Sequence, residues 1–393
     1  MSNLKISRIN FYDDLFEKQN IPECISKIAY QDNDYLLYKS ENPINEKRQG
    51  EKKIYSIQIV PDFLSIKYDA LFNKRVLKEN RLGYAAKLNE FTDVRSYMKN
   101  QFRSKNAYVI FKNIKRLETR FEVSYTLFYG NIERHEYDFI MDSLHNMLKN
   151  RFEERNDSNY IFQIWPKIYN SLFDFINLKK ASFFVIFNGA QPIQINIQYH
   201  FKDILINSVP SYDINYRKFG LGNIAFYKQI EWCINNGYSM FDFGHGDLPI
   251  KRRWSNMIYG FDYHVVYSKD NLKSIFSANL KFLKMKVKAY LRLKKADVKL
   301  KDFKKSFSKS SNKFDTNKKD HEVINLSGFD GENKTFKKIE WQSLEYEFLM
   351  KFVCDFIYYN PVHFNEVQVF KEQSERKNFI LKGKNNFQKI IFY

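Results

Sequence analysis

The sequence predicts a mixed α/β fold, and three observations support this class. Hydrophobic residues make up 44% of the 393-residue chain and aromatic residues 18%, which is enough for a sizeable core in two or three domains. Stretches with strand-like alternation and stretches with helical spacing follow one another from residue 35 to residue 267. Between residues 204 and 234, an apolar run, a turn with two glycines and a helical pattern come in direct succession.

The stretch 1–130 is predicted to be a first mixed domain. Short strands are expected at residues 35–38, 54–60, 83–88 and 121–129. A basic helix is expected at residues 103–120. Its cations either face solvent or contact an anionic substrate, and the sequence leaves both interpretations open.

The stretch 131–268 is predicted to be a second domain with a regular order of elements. Helices are expected at residues 133–155, 165–178 and 224–234, and strands at 181–187, 193–199, 204–210, 238–243 and 261–267. Asn188-Gly189 between two of these strands is a strong signal for a hairpin.

Two glycines lie where the predicted strand 204–210 ends and the next helix begins. Glycine lets the backbone turn tightly and approach a ligand closely, and the amino end of a helix offers unpaired N–H groups and a positive dipole end. Arg217 and Lys218 add positive charge beside Gly220 and Gly222. These features predict a site for a phosphate or pyrophosphate, and a plain strand-to-helix turn with a glycine cap is the alternative.

The spacing Arg217-x-x-Gly220-x-Gly222 resembles the loop with which GNAT acyltransferases hold the pyrophosphate of acyl-CoA. Farther along, residues 241–254 read FDFG-x-GD-x-x-x-K-x-x-W, which resembles the end of the GNAT domain in CelD/BioF2-like acyltransferases. Those proteins are associated with polysaccharide biosynthesis and are related to the Fem peptidyltransferases. The resemblance covers residues 80–267.

This resemblance implies tandem GNAT-like domains with central mixed sheets, a degenerate one at 1–130 and a catalytic one at 131–268. It implies acetyl-CoA or another acyl-CoA as donor, with its amide-like arm along strand 204–210 and a backbone N–H near Val209 or Ser211 stabilising the oxyanion. The residues expected to hold the donor are Val209, Ser211, Arg217, Lys218, Phe219, Gly220, Leu221, Gly222 and Asn223.

His245, Asp242 and Lys251 are the candidate catalytic residues. An imidazole titrates in the range that a general base needs, and His245 follows the predicted strand 238–243; an ordinary turn histidine is the alternative. Asp242 is expected either to assist catalysis or to hold the glycine turn by a hydrogen bond. Lys251 matches a lysine that in Fem-like relatives is thought to neutralise charge on the reacting carbonyl, with surface charge as the alternative. Residues expected to contact the substrate are Tyr199, His200 and Asp247.

A basic amphipathic helix is predicted at residues 269–305. The stretch 271–310 carries 13 Lys and Arg against two acidic residues, which is more than half of the net charge of +19. At 100° per residue, one face collects Phe276, Leu280, Leu283, Val287, Leu291 and Val298. Through residues 272–299 such a helix lies on an anionic membrane surface or packs on its own domain, and contact with nucleic acid is a third reading. A linker at 306–321 and a C-terminal module of unknown role at 322–393 follow.

Other motifs give no indication of further chemistry. The three cysteines form no CxxC pair and no His/Asp/Glu cluster has ligand spacing, so we expect no metal. No Gly-x-Ser-x-Gly elbow of a hydrolase occurs. The first residues lack an apolar segment and no run of 18 apolar residues exists. We therefore expect a cytoplasmic protein, either free or peripheral to the inner face of the membrane.

The residues and the resemblance together predict an N-acyltransferase, with N-acetyl transfer as the first expectation. It would move an acyl group from acyl-CoA to the amine of a small molecule or glycan precursor, such as an amino-sugar, in cell-surface polysaccharide biosynthesis. One alternative is a Fem-like transferase that depends on aminoacyl-tRNA. The other is a non-catalytic adaptor, a degenerate GNAT fold at a membrane surface. Binding of CoA, tRNA or lipid distinguishes the three.

Overall fold

The computed structural model describes residues 5–41, 53–156, 160–293, 321–331, 335–373 and 377–393. The predicted linker, apart from its last residue, and the basic helix beyond residue 293 lie outside the described residues. The chain divides into two compact units. The first unit comprises Met1–Phe91, Tyr199–Ser208 and Cys233–Asn312, and the second comprises Thr92–Gln198, Val209–Trp232 and Lys313–Tyr393.

The first unit is built mainly of strands. These are β1 (Lys5–Asn10), β2 (Ile25–Tyr30), β3 (Leu36–Lys39), β4 (Lys53–Pro61), β5 (Leu64–Tyr68), β6 (Phe72–Lys87), the first half of β10 (Ile204–Tyr212), β11 (Met240–His245) and β12 (Met257–Ser268). Its helices are a π-helical turn (Asp13–Glu17), α6 (Pro249–Trp254) and α7 (Leu272–Leu293).

The main sheet of the first unit is mixed, in the order β1, β4, β12, β6, β11 and β10. The pairs β1–β4 and β10–β11 are parallel, and the others are antiparallel. Strands β10 and β11 pair from Ile204–Met240 to Ile206–Asp242, and each strand continues beyond these pairs. Strands β3, β2 and β5 form a separate antiparallel sheet in that order.

Helix α7 packs on the main sheet of the first unit through a face other than the predicted apolar face. Ala278 is buried among residues of β4 and β12, and Ile275, Phe282 and Met285 pack beside it. The predicted apolar face, which includes Phe276 and Leu283, is exposed instead. The helix therefore has two apolar faces, and the one that contains Ile275, Ala278, Phe282 and Met285 is the one that packs.

The second unit carries most of the helices. Its elements before the C-terminal module are α1 (Val94–Gln101), α2 (Ser104–Arg120), β7 (Val123–Phe128), α3 (Arg134–Glu154), α4 (Ile161–Asn177), β8 (Ala181–Asn188), most of β9 (Gln191–Phe201), the second half of β10, a 3₁₀ helix (Ile214–Phe219) and most of α5 (Leu221–Asn235). Strands β10, β9, β8 and β7 lie in that order. The predicted hairpin turn lies between β8 and β9, with Gly189 at φ +56°.

The C-terminal module is a small antiparallel sheet with helices. The strands β13 (His321–Leu326), β14 (Phe336–Ile339), β15 (Gln368–Glu372), β16 (Asn378–Lys382) and β17 (Phe387–Phe392) are arranged in the order β13, β17, β16, β15, β14. Its helices are α8 (Met350–Tyr359) and two 3₁₀ helices (Leu344–Leu349 and Phe364–Glu366). Phe336, Phe370 and Ile380 form a core of their own.

The predicted mixed α/β class is confirmed, since sheets and helices are both substantial in the described chain. The two compact units have other bounds than the predicted domains 1–130 and 131–268, because β9, β10 and α5 each give residues to both units. The division into tandem domains stays a prediction. Among the described residues, no helix is both long and apolar enough to cross a membrane.

Candidate active site

Asp242 lies near the end of β11 as a fully buried carboxylate. The Tyr12 hydroxyl donates to its Oδ2 at 2.9 Å, and the Tyr259 hydroxyl lies 3.0 Å from Oδ1 and 2.8 Å from Oδ2. The backbone N–H of Gly244 donates to Oδ1 at 2.7 Å. Buried charges need such partners, and these three donors fix the carboxylate where the register of β11 shifts between Asp242 and Gly244. We call Tyr12, Asp242, Gly244, Lys251 and Tyr259 the Asp242 cluster.

Within the Asp242 cluster, burial and neighbouring charge act in opposite directions on the pKa values of Asp242 and Lys251. Burial raises the pKa of Asp242, while its hydrogen bonds and the Lys251 ammonium oppose that shift. Burial likewise lowers the pKa of Lys251, and the Asp242 carboxylate opposes this. The Lys251 Nζ donates to the backbone oxygen of His245 at 2.8 Å. The lysine therefore ties helix α6 to the end of β11.

Gly244 is the position where the Asp242 cluster needs a glycine. Its φ is +74°, a left-handed conformation that side chains rarely adopt. A Cβ atom there would lie 3.5 Å from the Tyr12 hydroxyl and 3.8 Å from Lys251 Nζ. Glycine thus lets the backbone turn between the tyrosine and the lysine.

His245 is the exposed candidate of the predicted catalytic set. The rings of Tyr12 and Phe261 lie edge-on to it, with centroids at 6.0 and 6.3 Å. Partial desolvation by this packing, together with the cations Arg81 and Lys251, lowers the pKa of His245. The imidazole is therefore neutral near pH 7 and chemically able to accept a proton.

The three residues that are predicted to contact the substrate differ in their exposure to solvent. Asp247 is exposed, and its carboxylate accepts from the Tyr84 hydroxyl at 2.7 Å and from the Arg252 guanidinium. Tyr199 and His200 are buried, at 6% and 4% exposure, and His200 Nδ1 is 2.6 Å from the Tyr238 hydroxyl. Burial lowers the pKa of His200 to about 3. A substrate at the surface of the first unit reaches Asp247 but not these two side chains.

The glycine loop, residues 213–223 of the second unit, differs in one respect from the predicted turn. The strand does not pass directly into α5, because the 3₁₀ helix Ile214–Phe219 intervenes and carries Arg217 and Lys218. The Asp213 side chain caps it by accepting from the N–H of Asn215 at 2.9 Å. Gly220 then adopts φ +68°, and its carbonyl accepts from the N–H of Asn223 at 2.9 Å.

The side chains of the glycine loop divide into anchors and exposed groups. Phe219 and Leu221 are buried, so they fix the loop rather than contact a ligand. Leu221 and Gly222 begin the first turn of α5, and the N–H groups at the amino end of a helix point away from the helix toward a possible ligand. A Cβ on Gly220 would lie 3.4 Å from the side-chain nitrogen of Asn113 in α2.

Both cations of the glycine loop have carboxylate partners. The Arg217 guanidinium pairs with Glu154 at the end of α3. Lys218 Nζ lies 2.9 Å from Asp355 in α8 and 4.6 Å from the centroid of the Tyr359 ring. An anionic ligand at the loop would compete with Glu154 and Asp355 for these charges.

Helix α8 of the C-terminal module packs on the glycine loop. The ring centroids of Phe219 and Tyr358 are 5.2 Å apart, and the Arg116 guanidinium lies 4.5 Å from the Tyr358 ring. Arg120 donates to the carbonyl oxygen of Tyr358 at 2.8 Å. The sequence of this module predicts no chemistry, and nothing in its residue spacing indicates a contact with a loop more than a hundred residues away.

Val209 and Ser211, the predicted oxyanion region, lie on β10. Ser211 is fully buried, and its hydroxyl has no hydrogen-bond partner among the described residues. The carbonyl oxygen of Pro210 between them lies 3.4 Å from the Arg151 guanidinium. Within the described part of the chain, no group of three or more His, Cys, Asp or Glu is arranged to hold a metal ion.

Comparison with known proteins gives a family match to part of the chain. Residues 104–252 match a family model described as an acetyltransferase (GNAT) domain. The matched span includes the whole glycine loop as well as Asp242, His245 and Lys251. No protein with a curated description matches the chain. The family match supports an acyltransferase, and the CelD/BioF2-like subtype stays a prediction.

Several solved structures are similar at low sequence identity. A conserved protein of unknown function from Bacteroides thetaiotaomicron is 11% identical, with a TM-score of 0.40 over 56% of this chain and 72% of that one. FemX is 10% identical, with a TM-score of 0.35 over 47% of this chain and 61% of that one. A GCN5-related N-acetyltransferase-like protein from Streptococcus suis is 14% identical, with a TM-score of 0.24 over 56% and 73% of the two chains.

Proposed function

We propose that this protein is an N-acyltransferase that takes an acetyl or other acyl group from acyl-CoA and transfers it to an amine. The observation that carries the proposal is the glycine loop within the GNAT-type region. There Gly220 in a left-handed conformation brings two cationic side chains and the amino end of α5 together. Such an arrangement suits a pyrophosphate. We further propose an amino-sugar or related precursor of cell-surface polysaccharide as acceptor, in the cytoplasm.

In this proposal the donor is held by the second unit. The N–H groups of Leu221 and Gly222 face the pyrophosphate, and Arg217 and Lys218 exchange their carboxylate partners for it. The amide-like arm lies along β10, where a backbone N–H near Val209 or Ser211 stabilises the oxyanion. Phe219 and Leu221 act as buried anchors of the loop.

The chemistry assigned to the first unit is activation of the amine. The amine nitrogen attacks the thioester carbonyl, so a C–N bond forms, the C–S bond breaks and CoA leaves as its thiolate. His245 takes the proton that the amine loses, because it is exposed and its pKa is lowered. Asp242 is a positioning residue that holds the backbone of β11 at Gly244, and Lys251 contributes positive charge beside the end of that strand.

Calorimetric titration with acetyl-CoA tests the donor site. The wild-type protein is expected to bind, and Gly220→Val is expected to lose binding, because it strains a left-handed backbone by about 1–2 kcal/mol and adds bulk at the loop. Gly237→Val is the matched control: Gly237 has φ +71° at the far end of α5 with open space around its Cβ position. Equal loss of affinity in both variants, or no binding of any acyl-CoA by the wild type, would refute the proposal.

A non-catalytic adaptor is the second candidate, and one observation favours it. Arg217 and Lys218 are both paired with carboxylates of the chain itself, as expected if no anion normally binds there. The same titration separates the two functions, since an adaptor binds no acyl-CoA. A Fem-like transferase would instead show acyl transfer only when charged tRNA is supplied.

A further inference from the structure

Helix α7 exposes a continuous apolar row, which we call the outer stripe. It consists of Leu272, Phe276, Leu280, Leu283, Val287 and Tyr290. Leu272 is 83% exposed, Phe276 71% and Leu283 58%. The spacing of three and four residues keeps all six on one side of the helix. At 1.5 Å per residue the stripe is about 30 Å long.

The outer stripe is not the core face of the helix. Ile275, Ala278, Phe282 and Met285 occupy the core face, where Ala278 is fully buried. The helix is thereby fixed to the sheet of the first unit on one side and presents the outer stripe on the other. Exposed apolar rows of this length indicate an interaction surface.

The charged residues of α7 itself are all positive. Residues 272–293 contain five lysines and one arginine and no acidic residue. At 100° per residue, Lys273 and Lys284 fall on one side of the stripe and Lys286 on the other. All three side chains are exposed. An apolar row between two cationic edges fits a surface whose interior is apolar and whose edge is anionic.

We propose that the outer stripe docks on an anionic membrane surface, with the axis of α7 parallel to the membrane plane. The apolar side chains enter the boundary between headgroups and acyl chains, and the lysines lie level with the lipid phosphates. This proposal does not depend on the acyltransferase proposal, because none of its residues belongs to the glycine loop or to the Asp242 cluster.

Other occupants fit the outer stripe less well. A second copy of the same face would bring lysines against lysines without an acidic partner on either helix. A nucleic acid backbone would neutralise the lysines but leave the leucines in water. An acidic protein that wraps around a helix must contact the whole circumference of that helix. Since one side of α7 already packs on the sheet, such a partner does not fit. A flat anionic surface needs only the exposed side.

Vesicle flotation with the full chain tests the proposal. We expect binding to vesicles of equal parts phosphatidylcholine and phosphatidylglycerol, weakening as salt is raised, and little binding to phosphatidylcholine alone. The triple variant Phe276→Ser/Leu283→Ser/Val287→Ser should lower partitioning at least about tenfold. Lys273→Gln/Lys284→Gln/Lys286→Gln should lower it about 100-fold, since each lysine near an anionic surface contributes about fivefold.

Two controls distinguish docking through the outer stripe from misfolding and from non-specific adsorption to vesicles. Leu248→Ser/Leu344→Ser removes exposed leucines elsewhere, at 51% and 90% exposure, and should leave vesicle binding unchanged. All three native cysteines are buried, so an environment-sensitive thiol label can be directed to Leu280→Cys. Its emission should shift to the blue on anionic vesicles, whereas a label at Leu344→Cys should not respond.

The results that overturn the proposal are equally specific. The proposal is wrong if the wild type does not bind anionic vesicles. It is also wrong if the triple variant of Phe276, Leu283 and Val287 binds them as well as the wild type does. A concentration-dependent dimer that only the stripe variant loses would assign the outer stripe to a second copy instead. Capture of a purified acidic protein with vesicle binding absent would assign it to a protein partner.

Discussion

At the scale of single residues, Asp242 is the group whose surroundings decide its role. It accepts hydrogen bonds from two tyrosine hydroxyls and one backbone N–H, and none of its surface is exposed. A carboxylate so enclosed is suited to hold structure in place. The nearby imidazole of His245, which is exposed, is suited to exchange protons with a substrate.

Loss of one tyrosine hydroxyl tests the structural role of Asp242. Tyr259→Phe leaves the buried carboxylate short of a donor, so the free energy of unfolding should fall by about 1–3 kcal/mol in a denaturant titration. Tyr160→Phe is the matched control, because Tyr160 is 66% exposed, and it should stay close to wild type. Equal stability of the Tyr259 variant and the control would contradict this role.

His245→Gln tests the proposed base. We expect kcat for acyl transfer to fall by about 100- to 10,000-fold with little change in the KM for acyl-CoA. The base works when neutral, so wild-type activity should be lost as the pH falls through the lowered pKa of His245, below about 6.5. The variant should lose that acid limb of the pH–rate profile. His135→Gln, at an exposed histidine, is the control and should keep the wild-type pH–rate profile. If His245→Gln also keeps it, His245 is not the base.

His200 gives a prediction about stability and pH. Its pKa is about 3 in the folded chain and about 6.5 when unfolded. Between these values the unfolded chain binds more protons, so the free energy of unfolding falls as the pH falls, by up to about 1.4 kcal/mol per pH unit. Urea titrations of His200→Gln should show a shallower fall from pH 6.5 to 4 than the wild type or His135→Gln. Parallel curves would show that His200 is protonated in the fold.

At the scale of elements, the local signals in the sequence predicted most of the region around the glycine loop. The strand, the turn and α5 follow one another as expected, because each depends on near neighbours in the chain. The 3₁₀ helix before Gly220 was missed, since six residues give no period to recognise. The orientation of α7 was not predicted, because periodicity identifies two apolar faces and only packing decides which is buried.

Contacts between distant elements could not be predicted. Tyr12 reaches Asp242 across 230 positions of sequence, and no local pattern marks it as part of the cluster. The same holds for Asp355 of α8, which contacts Lys218. The glycines and cations of the loop are visible in sequence, whereas the groups that fix them depend on the tertiary fold.

Asp355→Asn tests whether α8 restrains the glycine loop. The change frees Lys218 for an anionic donor, so acetyl-CoA should bind up to about fivefold more tightly, which is the range of a partly exposed ion pair. Glu345→Gln in the same module is the control, because Glu345 is exposed and pairs with Lys371. Weaker binding by Asp355→Asn would mean that Asp355 positions Lys218 for the donor instead of competing with it.

At the scale of the whole molecule, the proposed donor loop lies in a different part of the chain from the proposed base and the proposed membrane-docking helix. The second unit contains the glycine loop, and the first contains the Asp242 cluster, His245 and α7. More than half of the net charge of +19 lies between residues 271 and 310. Salt should therefore weaken the proposed docking of α7 on lipid far more than it weakens the fold, because only exposed charges are strongly screened.

Hydrogen exchange with and without saturating acetyl-CoA tests the central claim most directly. Peptides covering residues 209–223 should exchange more slowly with the donor present, because the N–H groups of Leu221 and Gly222 would then donate to its pyrophosphate. Peptides of α7 should not change. Protection confined to other parts of the chain, or none at a donor concentration that saturates binding, would contradict the account of this protein as an acyl-CoA-dependent transferase that uses its glycine loop.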